Sequence, residues 1–153
     1  MQELTNPGNW GVVITTLGLI ALAVGLHYEV LRGSVIYLPK LTQRRRRRVV
    51  VLIFVILLTH AAETWIFAFG YYGLLKHEIF GLISGDVRIE TLLDHVYFSA
   101  MVYTTVGFGD MVPDGPIRFM TGMEAVTGLV LITWSASFTF LEMQRDWPAP
   151  PRT

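Results

Sequence analysis

The chain has 153 residues, of which 52% are hydrophobic and 16% are charged, and its mean hydropathy is +0.49. This composition is too apolar for an ordinary water-soluble domain and is typical of an integral membrane protein. The 12 basic and 12 acidic residues cancel, and the absence of cysteine excludes a disulfide framework and a thiolate metal site.

Three apolar segments are long enough to cross a bilayer, because roughly 20 helical residues span the hydrocarbon core. In chain order they are residues 10–31, 49–72 and 117–141. The apolar patch at 92–103 is too short to cross, and we predict a re-entrant helix over 91–104. The predicted fold class is an all-α membrane protein with three transmembrane helices, a re-entrant helix and a following loop. We expect the first helix to pack peripherally against the second.

A basic loop without acidic residues is predicted between the first two helices, and it includes Arg32 and Lys40. The positive-inside rule places this loop in the cytoplasm, with the N-terminus outside and the C-terminus inside an inner or plasma membrane. The loop ends in a run that is interpreted as a topology anchor or as a contact for anionic lipid headgroups. The run consists of Arg44, Arg45, Arg46, Arg47 and Arg48.

The stretch TTVGFGD, residues 104–110, lies between the re-entrant helix and the last transmembrane helix. Non-helical backbone at membrane depth needs polar partners, since each orphan group costs several kcal/mol in lipid. Gly107 and Gly109 tolerate positive φ, and alternating such conformations turns successive carbonyls toward one side. The resulting rungs of neutral oxygens favour a monovalent cation over Ca²⁺, whose sites recruit carboxylates.

One chain supplies only one wall of such an oxygen cage, so we predict a homotetramer around a common axis. Thr91, followed three residues later by Asp94, predicts a capping box at the start of the re-entrant helix. The negative end of the dipole of that helix would then point toward the cation.

In this arrangement the sequence resembles the potassium channel family over about residues 49–141. The resemblance identifies 49–72 as the outer helix, 91–104 as the pore helix, 105–110 as the filter and 117–141 as the inner helix. Residues 1–48 form an additional N-terminal helix and basic loop, and residues 142–153 form a short cytoplasmic tail.

The resemblance implies a homotetrameric, potassium-selective channel that conducts K⁺ passively, without enzymatic activity or an organic cofactor. Asp110 lies at the outer mouth, and Gly128 is either a hinge of the inner helix or a packing residue. The expected K⁺ ligands are Thr105, Val106, Gly107, Phe108 and Gly109.

Two positions depart from the family pattern. Phe108 stands where many members have tyrosine, so a hydroxyl that could tie the filter to Tyr97 or Phe98 is missing. Met101 stands where some members have a carboxylate, so an acid partner for Asp110 is also missing. Asp110 is interpreted as attracting cations or as holding its turn through backbone N–H groups.

Three ionisable side chains lie within the predicted transmembrane helices: His60, Glu63 and Glu124. Such groups are costly in a bilayer unless they are paired or face a cavity. One interpretation is a hydrogen-bonded packing network that braces the pore helix. The other is a proton sensor that shifts gating, because histidine titrates near neutral pH.

Three other functions are considered. The first is a weakly selective monovalent cation channel of the same architecture, and the second is an accessory subunit that does not conduct. The third is a membrane metalloenzyme that uses His27, His60, Glu63 and Glu124. Their spacing fits no metal motif, and His27 is expected near the cytoplasmic end of its helix, away from the others.

Overall fold

The computed structural model describes residues 7–41, 44–86 and 89–146. Three long helices, α1 (Pro7–Leu41), α2 (Arg45–Leu74) and α4 (Ile117–Asp146), are long and apolar enough to cross a membrane. The predicted all-α membrane architecture is thereby confirmed.

The long helices extend beyond their predicted ends. Helix α1 continues ten residues past 31, so Arg32 and Lys40 are helical and only residues 42–44 separate α1 from α2. The prediction of a basic loop is therefore wrong. Arginine and lysine are good helix formers, and their long side chains reach water from the ends of membrane helices, so charge alone does not end a helix.

The additional helix α1 contacts both α2 and α4. The expected packing against the outer helix is therefore present, and the contact with α4 was not expected. Helix α4 also continues past its predicted end at 141, into the predicted tail, and residues 147–153 of that tail lie outside the described residues.

The pore helix α3 (Leu92–Tyr103) lies between α2 and α4, against which it packs. Its N-terminus carries the predicted capping box: Asp94 N–H donates to Thr91 Oγ1 at 3.3 Å, and Thr91 N–H donates to Asp94 Oδ2 at 2.7 Å. Phe98 on its buried face meets Tyr71 of α2 edge to face, with ring centroids 5.0 Å apart. The short helix is thus fixed at its start and along its side.

A two-stranded sheet, whose strands precede and follow α3 in the chain, was not expected from the sequence pattern. Strand β1 (Leu82–Gly85) follows a 3₁₀ turn at Glu78–Phe80 and pairs antiparallel with β2 (Met111–Asp114). The N–H of Asp86 also donates to the carbonyl of Asp110 at 3.0 Å. The chain that leaves the loop 104–110 is therefore held by the segment that precedes the pore helix.

Candidate functional site

The loop 104–110, called here the filter loop, has a backbone whose φ alternates in sign. Thr105, Gly107 and Gly109 have φ of 59°, 48° and 81°, whereas φ is negative at Val106 and Phe108. In an extended strand successive residues face opposite sides, but alternation between right- and left-handed conformations turns successive carbonyls to one side. The loop therefore has the backbone pattern that a row of oxygen ligands requires.

The positive φ of Thr105 is the property of this loop that its glycines do not predict. A left-handed conformation costs a β-branched residue about 1–2 kcal/mol. The conformation is held from the pore helix, because Thr105 N–H donates to the Val102 carbonyl at 2.9 Å and Gly107 N–H donates to the Met101 carbonyl at 3.2 Å. The last carbonyls of α3, which have no partner within the helix, thus fix the start of the filter loop.

At the other end of the filter loop, Tyr97 of α3 donates its hydroxyl to Asp110 Oδ2 at 3.0 Å. Desolvation and this hydrogen bond to the Asp110 carboxylate raise the pKa of Tyr97 above its ordinary value. In place of the missing acid partner, Asp110 therefore has a phenol as its hydrogen-bond partner. Tyr97 lies one helical turn before Met101 on the same face of α3, which is the sequence signal for this contact.

The first of two buried polar clusters behind the pore helix is centred on Glu124 of α4. Ser99 of α3 lies 2.5 Å from Glu124 Oε1 and 2.8 Å from the Thr64 carbonyl, and Tyr71 donates to Glu124 Oε2 at 2.6 Å. Glu124 and Ser99 are completely buried. This cluster joins the pore helix to both the outer and the inner helix.

The second cluster is centred on Glu63 of α2, and we call it the imidazole–carboxylate cluster. His27 Nδ1 lies 2.8 Å from Glu63 Oε1, and His60 Nδ1 lies 2.9 Å from Glu63 Oε2. Tyr103 of α3 donates its hydroxyl to Glu63 Oε2 and lies 2.9 Å from His60 Nδ1. The Ser135 hydroxyl of α4 completes the cluster, 3.3 Å from His27 Nε2.

The two clusters revise the predicted intramembrane network. His60 and Glu63 meet as expected, but Glu124 belongs to the other cluster. The expectation that His27 lies away from these groups is wrong. Helix α1 runs from Pro7 to Leu41, so residue 27 is well inside it and not at its end. Because Ser99 and Tyr103, at i and i+4 of α3, reach one cluster each, the network braces the pore helix from two points.

Gly128 of α4 lies directly against the end of the pore helix. A Cβ atom at this position would lie 2.0 Å from the carbonyl oxygen of Tyr103 and 3.0 Å from its Cγ. Only glycine allows this approach, so the structure supplies a packing reason for Gly128 that requires no bending of α4.

Comparison with known proteins adds one finding on function. A family model described as an ion channel matches residues 49–145, which include most of α2, the whole of α3, the filter loop and nearly all of α4. No curated protein and no solved structure matches the chain. Helix α1 lies outside the matched region.

Proposed function

Because this chain belongs to the ion channel family, which its sequence matches over residues 49–145, we propose that it conducts K⁺ passively across a membrane through the carbonyl oxygens of its filter loop. The observation that carries this proposal is the alternation of φ from Thr105 to Gly109. Backbone carbonyls that replace the hydration shell of K⁺ are an established basis of selectivity. The ligands would be the carbonyls of Thr105, Val106, Gly107 and Phe108, with the Thr105 hydroxyl below them.

A homotetramer is proposed because one protomer leaves the filter loop uncovered. The side chains of Val106 and Phe108 are 52% and 70% exposed in a single chain. The non-helical backbone between these side chains must be surrounded by protein or line a water-filled cavity at membrane depth, and copies about a common axis supply both. The same symmetry closes the oxygen rungs around the ion.

The pore helix supports the proposed site electrostatically as well as sterically. Helix α3 ends at Tyr103, immediately before the filter loop. Its C-terminal end carries the negative end of the helix dipole, which favours a nearby cation. A partly dehydrated K⁺ would be stabilised there without a fixed carboxylate.

The test is ion flux through the purified chain in liposomes under opposed K⁺ and Na⁺ gradients. A reversal potential close to that of K⁺ supports the proposal, and an intermediate value supports the weakly selective channel instead. Absence of flux from well-assembled protein would leave an accessory subunit as the better explanation.

A matched pair of glycine variants connects the flux to the filter loop. Gly107→Ala imposes a φ of +48° on alanine although no atom of the same protomer lies within 4 Å of the new Cβ. Gly122→Ala adds the same methyl group to α4, also without a close neighbour and without positive φ. We expect Gly107→Ala to lose K⁺ flux and Gly122→Ala to keep it; equal flux would contradict the proposed site.

Anionic lipid headgroups are the proposed partners of the arginine run. Helix α2 begins within this run and has no acidic residue in its first turn. Positive side chains at a helix N-terminus oppose the dipole, so nearby phosphates would offset an unfavourable interaction. The predicted orientation puts the run at the cytoplasmic leaflet. Greater thermal stabilisation by anionic than by zwitterionic lipid, reduced in an Arg46→Gln, Arg47→Gln double variant, would support this.

A further inference from the structure

The imidazole–carboxylate cluster takes no part in the proposed ion path. We propose that His27, His60 and Glu63 bind a divalent transition metal ion of the Zn²⁺ type, which links α1 to α2 behind the pore helix.

The donor atoms are of the right kind and are already gathered. Two imidazole nitrogens and one carboxylate are a common three-ligand set for Zn²⁺, with water or another group in the fourth position. One donor atom from each of His27, His60 and Glu63 lies within 4.8 Å of the others. Ligands at about 2.0–2.2 Å in a tetrahedron are about 3.3–3.6 Å apart. The present separations of 2.8 and 2.9 Å from the two imidazoles to the Glu63 oxygens therefore need to open by about 0.4–0.8 Å.

Charge also favours a cation in this cluster. Glu63 is completely buried, and its hydrogen-bond partners are two imidazoles and a phenol, none of which carries a permanent charge. A buried carboxylate is costly unless a positive charge compensates it. A metal ion would supply that charge.

The groups around the cluster can also form the hydrogen bonds that a metal-bound imidazole requires. A metal-binding imidazole usually donates its other N–H to a neighbour, which fixes the tautomer. Ser135 lies at His27 Nε2, and its hydroxyl can either donate to this nitrogen or accept from it. The proton that occupies Nδ1 without metal can therefore occupy Nε2 with metal, while Tyr103 or a water takes the fourth position.

A cleft between α2 and α4 borders the cluster. A cleft of about 340 Å³ has mostly apolar walls and is bordered by His60 and Ser135. The side chain of His60 is 17% exposed, unlike those of His27 and Glu63. An ion can thus reach the cluster from the cleft by way of one imidazole.

The consequence of binding would reach the pore helix through Tyr103. The hydroxyl of Tyr103 contacts both Glu63 and His60, and its backbone carbonyl lies against Gly128. Tyr103 is also only two residues before Thr105, the first proposed K⁺ ligand. Metal occupancy is therefore expected to stabilise the assembled channel and to change its conduction. The bound metal would connect His27 of α1, through Glu63 and Tyr103, to the start of the filter loop.

The experiment uses the purified full chain, stripped of metal and then dialysed against Zn²⁺, with the bound metal counted by mass spectrometry. We expect one Zn²⁺ per chain. Co²⁺ gives a second measurement, because a tetrahedral site yields intense visible absorption, and the chain contains no cysteine to contribute. Neither measurement requires conduction, so failure of the metal site and failure of the proposed channel function are distinguishable.

The two remaining histidines provide matched controls. His77 is exposed, and His95 donates from Nδ1 to the Thr91 carbonyl at 2.7 Å, outside the cluster. His27→Gln and His60→Gln should each weaken Zn²⁺ binding at least tenfold, whereas His77→Gln and His95→Gln should leave it unchanged.

Two results would overturn the proposal. One is wild-type protein that binds no Zn²⁺ and shows no tetrahedral Co²⁺ spectrum, a result that needs no variant to fold. The other is Zn²⁺ binding that survives in His27→Gln and His60→Gln but is lost in a control variant. The cluster would then be a hydrogen-bonded packing network.

Discussion

Replacing Gly128 with alanine tests whether the close approach of α4 to the pore helix supports the filter loop. The new Cβ would lie 2.0 Å from the carbonyl oxygen of Tyr103 and 2.8 Å from its carbonyl carbon. Real Cβ atoms do not approach other heavy atoms closer than about 3.0 Å, because repulsion rises steeply below that distance. The two backbones must therefore separate by about 1 Å.

The cost of this separation can be estimated by comparison with Gly122→Ala on the same helix. Both changes gain the helix propensity of alanine over glycine, about 1 kcal/mol. Only Gly128→Ala also forces backbone apart in a packed region, which typically costs about 1–3 kcal/mol. The difference in unfolding free energy between the two variants should therefore be about 1–3 kcal/mol per chain, with Gly128→Ala less stable.

The assay combines thermal unfolding of the purified assembly with K⁺ flux in liposomes. Gly128→Ala should lower both the midpoint temperature and the flux, since Tyr103 lies two residues before the first proposed ligand. Lost flux with a midpoint equal to that of Gly122→Ala would instead indicate a hinge. Unchanged flux and an unchanged midpoint would refute the packing argument altogether.

Three further predictions concern the supports of the pore helix. Tyr97→Phe removes a surface hydroxyl, so the free energy of unfolding should change by less than about 0.5 kcal/mol. Discrimination between K⁺ and Na⁺ should nevertheless fall. An unaltered reversal potential would show that the hydrogen bond to Asp110 does not shape the filter. Hydrogen bonds, chiefly from the Thr91 N–H, lower the pKa of Asp94. The stabilisation of the start of α3 by the Asp94 carboxylate is therefore fully present above the ordinary pKa of about 3.9 and is lost as the pH falls through the lowered value. The protection of amides at the start of α3, measured relative to their intrinsic exchange rate at each pH, should fall in that acid range. Asp94→Asn should remove this dependence, whereas an identical profile in both proteins would argue against it. Glu124→Gln should unfold at a midpoint near that of wild type, because its amide can donate to one hydroxyl neighbour and accept from the other. Glu124→Ala should instead lose about 2–5 kcal/mol of unfolding free energy. Similar losses in both variants would show that the negative charge itself is needed.

The features that could be predicted are those that depend on residues close together in the sequence. Apolar length identifies α1, α2 and α4, and the Thr91–Asp94 pair marks the start of the pore helix, because both depend on neighbouring residues. Helix ends are less predictable. Arg32 and Lys40 suggest a loop but remain helical, since their side chains can reach water from the helix surface.

The parts that could not be predicted depend on residues far apart in the chain. His27 and Glu63 are 36 residues apart, and their contact requires the true length of α1 and its packing beside α2. The β1–β2 pairing likewise joins segments on opposite sides of the pore helix. The positive φ of Thr105 is imposed by hydrogen bonds from the loop to the end of α3, although its own side chain disfavours it.

The contact of His27 with Glu63 has a consequence for how this protein can be divided. Removing α1 to obtain a minimal pore would leave a vacant space beside Glu63 and strip one partner from a carboxylate that touches Tyr103. The truncated protein should be harder to produce in folded form than its shorter length suggests. Helix α1 is thus an integral part of the helix packing, and removing it would alter the region that such a truncation intends to isolate.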